Sequence, residues 1–230
     1  MIELHPITGI GEVAPGDDLA AILAEAIAGV GLVLQDGDVV VVTHKVVSKA
    51  EGALAPAEDD DAYRALVERE AVAILRRRHD LVIAETSHGF VCANAGVDRS
   101  NVTLGQAVLL PKDPDGSAHA LRRRIGHITG KEVAVVITDT FGRAWRKGLS
   151  DVAIGVSGMP AIVDLRGTTD TQGRELHATE IAIADEVAAA ADLAMGKATS
   201  VPAAIVRGLE FDGEGRAADL VRDPDEDLFR

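Results

Sequence analysis

Apolar residues along the chain fall into two kinds of pattern. Residues 38–43 and 133–138 are continuous runs dominated by valine and isoleucine, which is typical of strands buried on both faces. Other segments place apolar residues at helical spacing and predict helices at 17–30, 60–78, 117–129 and 178–195. Shorter apolar runs predict further strands at 81–84, 90–93, 152–156, 161–165 and 203–206.

The order of these elements determines the fold class that we expect. Several predicted strands follow one another with only short turns between them, as at the polar turn 87–89. This order favours an α+β fold with mixed sheets and packed helices over a doubly wound parallel sheet. Aromatic residues make up only 3% of the chain. Small aliphatic side chains must therefore fill the core, and the helices must lie close to the sheets.

The formal net charge of -14 narrows the classes of partner. A general nucleic-acid-binding protein needs a basic face for the phosphates, so we expect no nucleic-acid partner. The N-terminus has neither a basic region nor a long apolar stretch, which predicts a cytoplasmic protein with no signal peptide and no membrane span. The single cysteine, Cys92, excludes an internal disulfide and is expected to be a buried structural thiol.

The segment ITDTFGRAWRKG, residues 137–148, is the strongest candidate for chemistry. We expect the preceding strand to end directly at Asp139, a position that ligand sites of sheet proteins favour. The Asp139 carboxylate and the Thr140 hydroxyl are hard oxygen ligands that suit Mg²⁺ or Mn²⁺. The alternative is a solvated basic turn behind a helix-capping aspartate. Three cations follow within one or two turns and predict a receptor for phosphate or carboxylate: Arg143, Arg146 and Lys147.

Weaker candidates lie elsewhere in the chain. Asp98 could supply a second metal carboxylate and Asn101 a nucleotide contact, although both are ordinary turn residues. Lys45 and Lys49 are four residues apart and would share one face of a helix, which suits phosphate binding and a plain surface equally well. His44, taken alone, gives no signal beyond that of an ordinary histidine on a polar surface or in the core.

The segment GIGEVA at residues 9–14 matches the letters of the dinucleotide-binding fingerprint G-x-G-x-x-A but not its structural context. Pro15 and Gly16 follow at once and no helix opens on the last glycine, so we reject a Rossmann site. The loop remains a candidate binding edge lined by backbone. The Walker sequence G-x-x-x-x-G-K-[ST] is absent, so a nucleoside triphosphate would have to bind without the commonest phosphate cradle.

Four motifs, taken in order, resemble the coenzyme F420-0:L-glutamate ligase family. They are VVTHKVVSKAEG at 41–52, AGVDRSN at 95–101, VITDTFGRAWRKG at 136–148, and ADLAMGK at 191–197 with IVRG at 205–208. The resemblance runs from about residue 2 to residue 211. It therefore predicts one catalytic domain at 1–211, followed by an acidic C-terminal tail at 212–230.

The resemblance implies a GTP- and divalent-metal-dependent ligase that joins L-glutamate to coenzyme F420-0 through an acyl phosphate, and then adds γ-linked glutamates. It also implies two Mg²⁺ or Mn²⁺ ions and an α+β fold that forms an intertwined homodimer. Two alternatives stay open. One is a related ligase or phosphotransferase that acts on another acid, and the other is a non-catalytic nucleotide-binding protein.

The resemblance also assigns roles to particular positions. Asp98 and Asp139 match a first metal site, and Thr140 touches a second metal. Lys49 and Asn101 match nucleotide contacts, and we place His44 and Lys45 in the same nucleotide set. The backbone of one loop also matches a GTP contact, and its residues are Ile10, Gly11, Glu12 and Val13. Three side chains receive catalytic roles toward substrate carboxylates and phosphates on physical grounds alone, namely Arg143, Arg146 and Lys147.

Two positions depart from the pattern of the family. His44 stands where a serine is usual, so a nucleotide hydrogen bond is replaced or lost there. Lys197 stands where some members carry a glutamine that helps to hold the second metal. Because an ammonium group is a poor metal ligand, either the second metal is weaker in this chain or Lys197 replaces part of its charge.

Overall fold

The computed structural model describes residues 1–197 and 199–229. The helices in these ranges are α1 (Leu19–Gly29), α2 (His44–Glu51), α3 (Asp60–Glu70), α4 (Pro114–Thr129) and α5 (Ile183–Met195). The strands are β1 (Glu3–Ile7), β2 (Val39–Thr43), β3 (Leu54–Pro56), β4 (Ala71–Arg78), β5 (Leu81–Thr86), β6 (Val91–Ala93), β7 (Gln106–Val108), β8 (Ala134–Arg143), β9 (Arg146–Ser157), β10 (Val163–Asp164), β11 (Glu180–Ile181) and β12 (Ala203–Arg207). Across the described ranges, every helix is too short or too polar to cross a membrane.

A five-stranded mixed sheet in the order β1-β12-β2-β8-β9 forms the centre of the molecule. β2 and β8 are parallel neighbours, and the other neighbouring pairs are antiparallel. Val40 and Val42 pack in one cluster with α1, α2 and α4, whereas Val39 and Val41 pack in another with α5. The α+β class with mixed sheets is therefore confirmed, and so are the two strands that were predicted to be buried on both faces.

A second, smaller group of strands packs with α3. β4, β5 and β6 form an antiparallel sheet, and β3 pairs with β7. Leu66 and Val67 of α3 pack with these strands in a separate apolar cluster. The predicted strand pair around the turn at 87–89 is confirmed as β5 and β6.

The predicted helix over residues 60–78 is wrong in its second half. The helix ends at Glu70, and the following residues form β4, which pairs with β5. Two residues join these strands, and the first of them, His79, has a φ of 54°. Tight two-residue hairpin turns favour positive φ values. Pairing with β5 outweighs the helical spacing because intrinsic propensity is weak against tertiary context.

The segment 137–148 also differs from expectation, because it forms a β-hairpin. β8 does not end at Asp139 but continues to Arg143, and β9 returns from Arg146. The turn contains Trp145, which has a φ of 63°. The three basic residues therefore lie on two paired strands and not on the turns of a helix.

The C-terminal residues pack against the central sheet and its helices. Ala217 is fully buried in the α5 cluster, and its backbone N–H donates to Asp115 Oδ1 at 2.8 Å. The N–H of Gly215 donates to the carbonyl of Met159 at 2.9 Å. Segment 212–229, predicted as an acidic tail, is thus held by backbone hydrogen bonds and apolar contacts.

A buried ion pair connects two strands of the central sheet. Asp38 precedes β2 and is 1% exposed. Arg207, the last residue of β12, donates from Nε and Nη2 to the two Asp38 carboxylate oxygens at 2.7 Å each. The bidentate geometry holds β12 against β2.

Candidate active site

Two of the candidate residues, His44 and Asp139, lie where the parallel strands β2 and β8 end or change partner. Thr43 of β2 is paired with Thr138 of β8, so the residues that follow them, His44 and Asp139, lie side by side. α2 begins at His44, whereas β8 continues through Asp139. This arrangement places the start of a helix next to the carboxylate that the sequence predicts as a metal ligand.

His44 lies against Asp139 in the interior. Its Nε2 is 3.3 Å from Asp139 Oδ1, and its side chain is 1% exposed. Neither ring nitrogen has a hydrogen-bond partner within the described part of the chain. Oδ1 of Asp139 already accepts the backbone N–H of Thr140 at 2.7 Å. The imidazole and the carboxylate are thus held together without a well-formed hydrogen bond between them.

Asp151 is a site residue that the sequence analysis missed. It is 6% exposed, and its carboxylate accepts hydrogen bonds from the hydroxyls of Thr140 at 2.6 Å and Thr138 at 3.0 Å. Thr140 and Asp151 are direct partners across the β8–β9 hairpin. Correct prediction of that hairpin would have placed the carboxylate opposite Thr140.

A second acid and one ammonium group complete this polar cluster. Lys197 donates from Nζ to Thr140 Oγ1. Burial raises the pKa of Asp192, and the nearby negative charge of Asp151 raises it further, while Lys197 acts in the opposite direction. Lys197 therefore supplies positive charge to the Thr140 hydroxyl and to the neighbourhood of Asp192.

Lys45, in the first turn of α2, forms an ion pair with Asp98. Lys45 Nζ lies 2.7 Å from Asp98 Oδ2 and donates to Ser100 Oγ at 2.6 Å. Burial alone would raise the pKa of Asp98, but hydrogen bonds from Lys45 and from the Ser100 N–H outweigh burial and lower that pKa. Asn101 is exposed in the same turn, with a φ of 58°.

The loop at residues 10–13 reaches α2 through one ion pair. Lys49 Nζ lies 2.5 Å from Glu12 Oε1, with the Lys49 side chain 9% exposed and that of Glu12 81% exposed. A groove of about 470 Å³ runs between this loop and α1, and Gly9, Gly11 and Ile22 are among its lining residues. Two segments predicted to contact a nucleotide are thus in contact with each other.

The three basic residues of the hairpin lie away from Asp139. Arg143, Arg146 and Lys147 are all exposed, and Arg143 Nη2 donates to the carbonyl of Lys147 at 2.9 Å. Arg143 is four residues beyond Asp139 along β8, which corresponds to roughly 13 Å of strand. Within one chain, these cations therefore lie at the exposed end of the hairpin.

Cys92 lies close to the site but is suited to packing. It is buried, and burial raises the pKa of its thiol to about 12, with the negative charge of Asp139 adding to the effect. A thiol with so high a pKa stays protonated and is a poor nucleophile. The prediction of a buried structural cysteine is confirmed.

Metal donors occur in pairs within the described residues, which contain no cluster of three His, Cys, Asp or Glu side chains close enough to hold an ion. The pair at the candidate site is His44 with Asp139, whose Nε2 and Oδ1 atoms lie 3.3 Å apart. The Thr140 hydroxyl lies next along β8, bonded to Asp151. A ligand that brings oxygen donors of its own, such as a phosphate, would complete the coordination of a cation here.

Comparison with known proteins decides the family. The family model described as F420-0:Gamma-glutamyl ligase matches residues 9–208. The chain belongs to this family. It is 42% identical to the coenzyme F420:L-glutamate ligase of Methanopyrus kandleri, over all of this chain and 98% of the relative. It is 43% identical to the protein of the same name from Methanothermobacter thermautotrophicus, over all of this chain and 99% of the relative.

A third relative also matches over the whole chain. The coenzyme F420:L-glutamate ligase of Archaeoglobus fulgidus is 40% identical over all of this chain and 96% of its own length. The match to the family model ends at residue 208, one residue beyond β12. The site residues at the ends of β2 and β8 thus lie within the matched span, and the C-terminal segment lies beyond it.

Proposed function

We propose that this chain is a GTP- and divalent-metal-dependent ligase that joins L-glutamate to coenzyme F420-0 and then adds γ-linked glutamates. The observation that carries the proposal is its full-length similarity, at 40 to 43% identity, to proteins named coenzyme F420:L-glutamate ligase. Carboxylates and lysines gathered at one edge of the sheet support it, because the proposed reaction joins anionic substrates and must balance their charges.

The proposed reaction has two steps. A carboxylate oxygen of the coenzyme attacks the γ-phosphorus of GTP, the bond from that phosphorus to GDP breaks, and an acyl phosphate forms. The amine of L-glutamate then attacks the acyl carbon, the bond to phosphate breaks, and the amine proton leaves with inorganic phosphate. The protein contributes mainly by positioning the reactants and stabilising charge.

Asp139, Thr140 and Asp98 are the residues that we propose hold Mg²⁺ or Mn²⁺. Their donors are hard oxygens, and the unpartnered ring nitrogens of His44 beside Asp139 also suit a cation. A bound divalent cation would neutralise charge on the phosphates and hold the two anions together. Because Lys197 already donates to the Thr140 hydroxyl, we propose that a second ion binds more weakly than the first.

Lys45, Lys49 and Asn101 are the residues that we propose contact the nucleotide, together with the backbone of the loop at 10–13. Both lysines are paired with carboxylates, Lys45 with Asp98 and Lys49 with Glu12. Phosphate oxygens could replace these partners without leaving an ammonium group unpaired. His44, which we predicted as a nucleotide contact, faces Asp139.

We further propose that the chain acts as an intertwined homodimer through the β8–β9 hairpin. Trp145 is 87% exposed and Leu149 is 64% exposed, and neighbouring exposed apolar side chains of this size often belong to contact surfaces. The basic residues occupy the same end of the hairpin. A dimer contact there would offer Arg143, Arg146 and Lys147 to anions bound by the second subunit.

The ligase assay is the direct test. Purified protein with coenzyme F420-0, GTP, Mn²⁺ and L-glutamate is expected to yield a product heavier by one glutamyl residue, together with GDP, as measured by mass spectrometry and nucleotide chromatography. Parallel reactions without metal, and with ATP in place of GTP, test the two dependences separately. Absence of both the mass shift and GDP would refute the proposal. Turnover of another acid from a panel of carboxylic acids would indicate a related ligase with a different substrate. GTP binding without any turnover would indicate a non-catalytic nucleotide-binding protein.

Replacing Asp151 by asparagine tests the residue that sequence reasoning missed. We expect Asp151→Asn to lower kcat/KM for glutamate addition by about 10- to 100-fold, the usual loss for a residue that orients a metal ligand. The reason is that the Asp151 carboxylate accepts the hydrogen bond that orients the Thr140 hydroxyl. The exposed Asp61 on α3 provides the control, and Asp61→Asn should leave kcat/KM unchanged. Equal activity of the two variants would show that Asp151 does not support the site.

A further inference from the structure

His44 is the buried polar residue whose contacts are least satisfied. Its side chain is 1% exposed, and both ring nitrogens lack a hydrogen-bond partner among the residues that the structure describes. A buried polar group without a partner costs about 1–3 kcal/mol. Such a group near a carboxylate therefore points to an absent partner with which both can interact.

The separation of the two groups indicates what that partner is. Nε2 of His44 lies 3.3 Å from Oδ1 of Asp139, whereas a charge-assisted hydrogen bond between nitrogen and carboxylate oxygen is usually about 2.7–2.9 Å. Two adjacent ligands of one octahedral ion, each about 2.1 Å from it, are about 3.0 Å apart. The observed distance is closer to that of two ligands sharing an ion than to that of a direct bond.

The surroundings of the pair favour a cation. The Thr140 N–H anchors Oδ1 of Asp139 on its protein side. The Asp139 side chain is 17% exposed while His44 is almost fully buried, so an ion would reach the imidazole past the carboxylate.

We propose that His44 supplies Nε2 as a ligand to the cation that Asp139 binds, and that this nitrogen makes the site select Mn²⁺ over Mg²⁺. The inference rests on the metal site of the proposed function and adds a donor and a metal preference to it. Mg²⁺ strongly prefers oxygen ligands and keeps its waters. Mn²⁺ also favours oxygen ligands, but as a transition-metal ion it accepts an imidazole nitrogen more readily than Mg²⁺ does. A nitrogen donor added to the oxygen donors of the proposed site therefore discriminates between the two ions.

Metal binding to the full chain, measured without turnover, tests the proposal. Mn²⁺ binding is followed by electron paramagnetic resonance in the presence of GDP, and Mg²⁺ affinity by competition. In the wild type, electron spin echo envelope modulation is expected to detect a directly bound imidazole nitrogen. In His44→Ser, the nitrogen modulation should disappear and the Kd for Mn²⁺ should rise by about 10- to 100-fold. The Kd for Mg²⁺ should change by less than about threefold.

Two further variants make the assignment specific. His177 is exposed, so His177→Ser should keep the wild-type modulation and affinities. Asp139→Asn should weaken Mn²⁺ binding. That loss would show that the ion binds at the Asp139 carboxylate. Bound Mn²⁺ without nitrogen modulation, or an unchanged preference for Mn²⁺ over Mg²⁺ in His44→Ser, would overturn the proposal while leaving the ligase function intact. Nitrogen modulation in a protein without ligase activity would support His44 as a ligand and refute the proposed function.

Discussion

Replacing Asp139 by asparagine is expected to lower kcat/KM for glutamate addition by on the order of 10³-fold, a loss comparable to removal of a principal charge-stabilising group. The change keeps the shape of the side chain and its acceptor for the Thr140 N–H, but it removes the negative charge proposed to bind the cation. Among the residues that the structure describes, Asp139 forms no ion pair with a lysine or an arginine, so little folding energy should depend on that charge. Initial rates of product formation at several Mn²⁺ concentrations measure the effect.

The matched control for Asp139→Asn is a distant aspartate in a loop. Asp170 is exposed and accepts local backbone N–H groups, so Asp170→Asn should retain normal kinetics. Both variants should show the circular dichroism spectrum of the wild type. Activity of Asp139→Asn within about tenfold of the wild type would contradict a metal-binding role.

Replacing Arg207 by methionine is expected to lower the free energy of unfolding by about 3–5 kcal/mol, the usual cost of leaving one member of a buried ion pair unpaired. Within the described part of the chain, the Asp38 carboxylate would keep one hydrogen bond, from the Gln35 N–H at 2.8 Å, while Asp38 stays 1% exposed. Urea unfolding followed by circular dichroism measures the change. We expect the loss to come from Asp38, because methionine preserves much of the apolar contact of the arginine side chain.

Two comparisons identify the origin of that loss. In Asp38→Asn/Arg207→Met no unpaired charge remains, so the double variant should be more stable than Arg207→Met alone. Arg64 forms exposed ion pairs on α3, and Arg64→Met should change the free energy of unfolding by less than about 1 kcal/mol. If Arg207→Met costs no more than Arg64→Met, the buried pair does not stabilise the sheet.

The central sheet was predictable because its strands carry an unambiguous pattern. A run of valines such as 39–42 must be buried on both faces, and helix-forming segments of the right length were present to cover it. Segment 60–78 was ambiguous, since Ala71–Arg78 shows apolar spacing that either a helix or an edge strand can adopt. The available edge of β5 decided the outcome, and that edge is not visible in local sequence.

The site was predictable as a set of residue types but not as a set of contacts. Asp98, Asp139 and Lys45 could be selected because metal and phosphate chemistry requires such side chains in turns and at strand ends. The parallel neighbours β2 and β8 bring Asp139 to His44, about a hundred positions away, whereas Asp98 meets Lys45 of α2 from a separate turn. Asp151 could not be selected from the sequence, because it lies at the candidate site only through the register of the β8–β9 hairpin, which pairs it with Thr140.

The hairpin also explains why the basic residues were misplaced. A strand that ended at Asp139 would have turned Arg143 back toward the carboxylate, whereas an extended β8 carries it away. Phe141 and the partner strand β9 favour continuation of the sheet, since aromatic residues suit strands. The position of these cations therefore depends on strand pairing that is not visible in the local sequence.

The position of Trp145 has a practical consequence for spectroscopy. It is the only tryptophan in the chain, it is 87% exposed, and its ring centroid lies 6.1 Å from that of Phe229. Its fluorescence therefore reports the solvent exposure of the hairpin end and the contact of that end with the C-terminal segment. It is insensitive to changes in the valine-rich interior. Shifts of the Trp145 emission during denaturation would follow the local separation of the C-terminal segment from the hairpin. Unfolding of the central sheet has to be followed by a probe of the backbone, such as circular dichroism.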